Sequence, residues 1–144
     1  MSEALTSRKP EFRNINIFKD VTTYRLPPAA WVSILHRVSG LLLILALPFI
    51  LWLFEKSVTS EIAFGQFKAL FNAGALGLPG WIFKIIGVIL VWAYLHHFCA
   101  GVRHIYMDLT HATTKEFGKN SALTTLVVSL VLTAAAAAKI FGAW

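Results

Sequence analysis

The chain has 144 residues, of which 57% are apolar and 14% are charged, and its mean hydropathy is +0.67. Soluble domains carry about 25% charged residues, so this composition excludes an ordinary soluble domain and indicates a protein that lies in lipid. The net charge is +6, and the basic residues beside the apolar segments favour orientation in a membrane over binding to nucleic acid. The single cysteine, Cys99, excludes an iron–sulfur cluster held by four thiolates of this chain.

Three apolar segments follow one another in chain order, at about 29–54, 81–106 and 122–143. Each reaches the length of about 20 residues that a helix needs to cross the ~30 Å hydrocarbon core. Lipid offers the backbone no hydrogen-bond partners, so each span must be helical. The sequence therefore predicts an all-α membrane protein with a three-helix transmembrane domain at 29–144, and it predicts a loop over most of 55–80.

Charge sets the expected orientation of the three helices. Basic residues are concentrated in the N-terminal segment, and Lys115 and Lys119 lie in the second loop. Positive charge favours the inner face, so segment 1–28 is predicted to be cytoplasmic. This segment has no long apolar stretch of a secretory signal, and it contains Glu3 and Glu11, which a transit peptide tends to avoid. We therefore expect a multi-pass protein of a bacterial inner membrane.

The first polar cluster inside a span lies at 33–40, where the sequence is SILHRVSG. Four of its residues share one helix face, because they are offset by three, four and seven positions: Ser33, His36, Arg37 and Gly40. An ionisable residue in a span indicates a functional site by default, and the guanidinium of Arg37 suits carboxylates and polar oxygens. The alternative is that Arg37 extends to lipid phosphates.

The second polar cluster lies at 96–108, where the sequence is HHFCAGVRHIYMD. Four of its residues form one stripe, at offsets of four, seven and eleven: His97, Gly101, His104 and Asp108. His97 follows Trp81 by 16 residues, which is about 24 Å along a helix. It is therefore predicted to lie in the inner half of the membrane, at a depth that the first cluster reaches.

A histidine in lipid that is followed one turn later by a glycine suggests a flat cofactor. Neutral imidazole binds haem iron, and a glycine lets a macrocycle approach the backbone. An interhelical hydrogen bond explains the spacing of His97 and Gly101 equally well. His97 and His104 lie about 10 Å apart along the axis, whereas two axial nitrogens lie about 4 Å apart. A second iron ligand must therefore come from His36 or from another chain.

Both clusters resemble signatures of one family. Segment 33–40 resembles the SxxHRxxG motif, and segment 97–108 resembles the HxxxGxRHxxxD motif, of the cytochrome b anchor subunit of succinate dehydrogenase. The resemblance covers nearly the whole chain, with three spans in the family's order. It implies that the chain packs with a smaller three-helix anchor into a helical bundle and holds an iron–sulfur subunit and a flavoprotein on the inner face.

The resemblance also implies an electron path and a haem. Electrons from succinate would pass through FAD and iron–sulfur clusters to ubiquinone, so enzyme activity would belong to the complex and no catalytic residue to this chain alone. By motif position, His97 corresponds to the axial ligand of haem b, and the second ligand comes from the smaller anchor. The adjacent His96 stays open as a second candidate, although the spacing to Gly101 favours His97.

The remaining motif residues are implied to surround haem and quinone. Ser33, Arg37 and Asp108 correspond to the quinone site. His36, Arg37 and His104 fall where the haem propionates are held.

Three other readings remain open at this point. A haem-free anchor would use the histidines only to pair helices. A fumarate reductase anchor would run the reaction in reverse. A small proton or ion relay would use Arg37, His97 and Asp108, although the sequence shows neither an inverted repeat nor paired broken helices.

Overall fold

The computed structural model describes residues 14, 16–20 and 23–142. Over these residues the chain forms five helices, numbered in chain order: α1 Ile17–Asp20, α2 Pro28–Val58, α3 Glu61–Asn72, α4 Gly80–Thr110 and α5 Lys115–Ile140. Most of the predicted cytoplasmic segment 1–28 lies outside the described residues, so its location remains a prediction.

Helices α2, α4 and α5 are long and apolar enough to cross a membrane, which confirms the predicted all-α fold with three spans. Helix α2 begins at Pro28, directly after Pro27, because a proline lacks the N–H that would be unpaired in the first turn. Helix α5 extends beyond the predicted span at its N-terminal end, because the Thr114 side chain accepts a hydrogen bond from the backbone N–H of Phe117 at 3.2 Å and so caps the helix.

The predicted loop at 55–80 is wrong in its middle, where α3 forms. Ser60 caps this helix, since its hydroxyl oxygen accepts a hydrogen bond from the backbone N–H of Ala63 at 3.1 Å. Glu61 adds a favourable negative charge in the first turn. Helix α3 packs against both α2 and α4, with Phe71 next to Gly87.

The three long helices pack through small buried side chains and expose large apolar ones. Val32, Ala100 and Ala122 are fully buried where α2, α4 and α5 meet. Side chains such as Leu45 and Val131 are exposed on the outer surface. Small residues allow helices to approach closely in lipid, and the outer apolar surface suits contact with lipid or with another membrane subunit.

Candidate functional site

The imidazole of His97 is held against α2 by polar contacts. Its Nδ1 lies 3.0 Å from the backbone carbonyl oxygen of His36 and 3.3 Å from the hydroxyl oxygen of Ser39. A carbonyl oxygen only accepts, so Nδ1–H of His97 donates and the Nε2 atom of the neutral ring keeps its lone pair. His97 is half-buried, so part of the residue is accessible from outside the chain.

Gly40 fixes the position of this ring. A Cβ atom built on Gly40 would lie only 2.8 Å from Cε1 of His97, so the imidazole occupies the space that any larger residue would need. Gly40 thus has a packing role that helix periodicity alone did not reveal. Gly101 is less constrained, because a Cβ there would lie 3.7 Å from Nε2 of His36, an ordinary contact distance.

Three imidazoles gather at the interface of α2 and α4. The rings of His36 and His97 are stacked, with centroids 4.2 Å apart and planes 19° apart. The ring of His104 lies 5.2 Å from that of His36. Within the described part of the chain, no three His, Cys, Asp or Glu side chains could hold a metal ion together. A metal at this cluster would therefore need a ligand from outside the described residues.

His96 faces a different helix from its neighbour. Its ring is fully buried, is stacked on Trp92 with centroids 5.6 Å apart, and places Nδ1 3.3 Å from the hydroxyl oxygen of Ser129 on α5. Its Nε2 has no hydrogen-bond partner among the described residues. The ring is enclosed within the helix bundle, where an external macrocycle cannot reach it unless the helices separate.

The other predicted site residues are more open. Ser33 is half-buried, and Arg37 and Asp108 are exposed. None of the three side chains forms a hydrogen bond or an ion pair with another described residue. The fold places Ser33 and Arg37 one turn apart on α2, next to the imidazole cluster, and it does not join Asp108 to them. All three groups are therefore available to a ligand or a partner subunit.

Two residues of the site were not singled out by the sequence. Ser39 is fully buried, donates to the carbonyl oxygen of His36 at 2.9 Å and contacts His97. Arg103 is buried and connects α4 to α5, where its Nε–H donates to the hydroxyl oxygen of Ser121 at 2.9 Å and its Nη2–H to the carbonyl oxygen of Gly118 at 3.3 Å. Ser39 lies in the first motif and Arg103 in the second. This membership was the one feature of the sequence that could have pointed to them.

Comparison with known proteins identifies the family of this chain. Residues 11–136 match the family model described as the succinate dehydrogenase/fumarate reductase transmembrane subunit. The chain is 36% identical to the succinate dehydrogenase cytochrome b556 subunit of Coxiella burnetii over 119 residues, which cover 83% of this chain and 89% of that protein. It is 31% identical to the subunit of the same name from Paracoccus denitrificans over 109 residues, covering 76% and 78% of the two chains. The chain therefore belongs to the succinate dehydrogenase/fumarate reductase transmembrane subunit family, as its two motifs predicted.

Proposed function

We propose that this chain is the haem b and ubiquinone-binding membrane anchor of a bacterial succinate dehydrogenase. The observation that carries the proposal is the hydrogen bond from Nδ1–H of His97 to the His36 carbonyl oxygen, which leaves Nε2 with its lone pair. Two relatives are cytochrome b556 subunits, which supports the haem, and both come from bacteria, which agrees with a bacterial membrane.

His97 is proposed as the axial ligand to the haem iron. Histidines that bind a metal usually donate their other ring N–H to a carbonyl or carboxylate oxygen, which fixes both tautomer and ring orientation. His97 makes this hydrogen bond and is also held in place by Gly40. The second axial ligand would come from the smaller anchor subunit. His96 is the weaker candidate, because its ring is enclosed between helices.

The residues around His97 fit a haem on the face shared by α2 and α4. Gly101 offers no side chain to hold a macrocycle away from the α4 backbone. The His36 ring lies between His97 and His104 and contacts both, and His36, His104 and Arg37 could bind propionate groups through charge-assisted hydrogen bonds. When bound, the haem would supply a one-electron carrier within the membrane.

Ser33 and Arg37 are proposed to bind the quinone on α2. Reduction of a quinone to a quinol takes two electrons and two protons. The Ser33 hydroxyl can donate a hydrogen bond to one quinone carbonyl oxygen. The Arg37 guanidinium has no ion pair within the described residues, and it can stabilise negative charge that develops on that oxygen in a water-poor site. Asp108 is proposed as the acidic residue near this site.

Succinate oxidation would take place in partner subunits. This chain has one cysteine and no nucleotide-binding glycine fingerprint, so FAD and the iron–sulfur clusters would belong to a flavoprotein and an iron–sulfur subunit. Those subunits would bind the cytoplasmic face, where the basic N-terminal segment and the second loop are predicted to lie.

A succinate-reduced minus oxidised absorbance spectrum of the protein, purified with its associated subunits, tests the proposal directly. A b-type haem band is expected, since electrons from succinate should reach a haem held by His97. A band with dithionite but none with succinate would support the haem and contradict the succinate path. No band with either reductant would overturn the proposal in favour of a haem-free anchor or a proton or ion relay.

The direction of the reaction is a separate question, because the family description names both succinate dehydrogenase and fumarate reductase. A fumarate reductase anchor is therefore the second candidate. Rates of succinate-driven quinone reduction and of quinol-driven fumarate reduction, measured on the same preparation, distinguish the two. We expect the first rate to be the larger, and the reverse order would favour the second candidate.

The two glycines beside the imidazole cluster make a matched pair of tests. Gly40→Ala is expected to displace the His97 ring, because the new Cβ would lie 2.8 Å from Cε1, and so to lower haem content severalfold. Gly101→Ala meets no closer atom than His36 Nε2 at 3.7 Å, so it should leave His97 in place, and a loss of haem in this variant would indicate that the haem lies against this face of α4. Haem per protein, from the dithionite-reduced spectrum, is the measurement.

Gly87→Ala is the control, because Gly87 lies on α4 like Gly101. Its new Cβ would lie 3.8 Å from Cε1 of Phe71, far from the imidazole cluster. Normal haem content in Gly40→Ala would contradict the position assigned to His97. Normal content in Gly101→Ala would contradict a macrocycle that lies against α4 at this residue.

A further inference from the structure

A groove on the surface of the bundle, between α4 and α5, has no role in the proposed function. The groove has a volume of about 550 Å³. Its walls are mainly apolar and run from Phe117 and Tyr106 at one end to Phe98 and Val128 at the other. Phe117 and Val128 are eleven residues apart on α5, so the groove extends about 16 Å along the helix. This shape suits a hydrocarbon chain that lies parallel to the helices.

Arg103 lines one end of this groove and lacks an anion. Its side chain is only 8% exposed. Its Nε–H and Nη2–H groups donate hydrogen bonds to two neutral acceptors, the Ser121 hydroxyl and the Gly118 carbonyl. A guanidinium has five N–H donors, so further donors remain. Within the described ranges no carboxylate pairs with Arg103, and a buried charge without a counter-ion is costly.

Arg103 faces away from the proposed haem ligand. His97 contacts α2, whereas Arg103 contacts α5, so the two side chains leave α4 toward different neighbours. Arg103 follows Trp81 by 22 residues, which is about 33 Å along the helix. With Trp81 at one membrane interface, that distance places Arg103 at the opposite one, because the hydrocarbon core is about 30 Å thick. Lipid phosphates lie at this level.

We propose that the groove between α4 and α5 binds an anionic phospholipid, with its phosphate on Arg103 and one acyl chain along the apolar walls. A phosphate offers oxygens that match the planar fork of a guanidinium. The Asn120 side chain lines the same end of the groove and adds an amide for the headgroup. A net negative headgroup would balance the charge of Arg103, whereas a zwitterionic one would carry its own positive charge into the site.

The test uses the protein with its associated subunits in nanodiscs that contain phosphatidylglycerol and phosphatidylcholine in equal amounts. In one sample the phosphatidylglycerol carries a diazirine on its acyl chain, and in the other the phosphatidylcholine does. After illumination, mass spectrometry of peptides is expected to show stronger labelling near Phe98 and Val128 with phosphatidylglycerol. Arg103→Gln should reduce that labelling on the order of tenfold, since it removes charge-assisted hydrogen bonds.

Lys119→Gln is the matched control, because it removes a positive charge from an exposed position near the same end of α5, and its labelling should stay at the original level. If Arg103→Gln does not assemble, Thr124→Phe fills the groove while Arg103 remains, and it should also lose the label. Equal labelling by the two lipids, or labelling that neither variant reduces, would overturn the proposal.

Two further results would also overturn the proposal by identifying another occupant. Displacement of the label by a short-chain ubiquinone would identify a quinone. Absence of lipid label in the groove, together with cross-links from these helices to a partner subunit, would identify a partner helix.

Discussion

Replacement of His97 with alanine is expected to remove the b-type haem band or to change it to that of a haem with one axial histidine. The reason is that Nδ1–H of His97 is committed to the His36 carbonyl oxygen, so Nε2 is the atom left to bind iron. The matched variant is His96→Ala, which removes the adjacent imidazole. Its band should be unchanged, because His96 is enclosed beside Trp92 and Ser129.

The measurement is haem per protein together with the dithionite-reduced spectrum of each variant. His96→Ala should lower thermal stability, since deletion of a buried side chain leaves a cavity. In His97→Ala the main effect should be on the haem spectrum. Added imidazole is expected to restore the band of a His97→Gly variant, because it can occupy the vacated space and bind the iron. An unchanged spectrum in His97→Ala with a lost band in His96→Ala would reverse the assignment.

Composition and length were enough to predict the three long helices. A stretch such as 29–54 can satisfy its backbone in lipid only as a helix, and α2 spans it. Helix α3 was missed because twelve residues are too few to cross a membrane. Ser60 followed by Glu61 is a helix-start signal, and the prediction of a loop at 55–80 did not take it into account. The error therefore came from treating every segment outside the spans as a connection.

The sequence also predicted that the two polar clusters would meet at one depth, and the stacked rings of His36 and His97 confirm this. It could not specify which side chains touch. Both Ser33 and Ser39 lie in the first motif, yet Ser39 is the serine that contacts His97. Helical periodicity shows which residues of α2 share a face. Which of these faces contacts His97 depends on where α4 packs.

The same limit explains why the contacts of Arg103 could not be predicted from the sequence. Its acceptors, Ser121 and Gly118, belong to α5, and nothing in the pattern of α4 points to them. The second motif includes Arg103 but does not indicate which helix its side chain faces. Contacts between helices, more than the helices themselves, are the part of this fold that one sequence leaves open.

Replacement of Arg37 with alanine is expected to slow quinone reduction by succinate on the order of a hundredfold, because it removes the positive charge that we propose stabilises the quinone oxygen as it becomes negative. Electron transfer from succinate to a soluble dye should remain, since that reaction would end in the proposed partner subunits. The rate of quinone reduction in Arg37→Lys should lie between that of the unsubstituted protein and that of Arg37→Ala, because lysine keeps the charge but loses the planar pair of donors. Both activities are measured on one preparation.

The ratio of the two activities is what distinguishes a quinone-site role from a structural one. Arg37 is exposed and forms no ion pair within the described residues, so its loss should leave the bundle intact. Lys115→Ala, which removes an exposed positive charge at the start of α5, should leave the ratio unchanged. Equal loss of both activities in Arg37→Ala would mean that Arg37 holds the complex together. A selective loss would place the quinone beside α2, because only a group near the reacting oxygen can slow the last electron transfer and leave the earlier ones as they were.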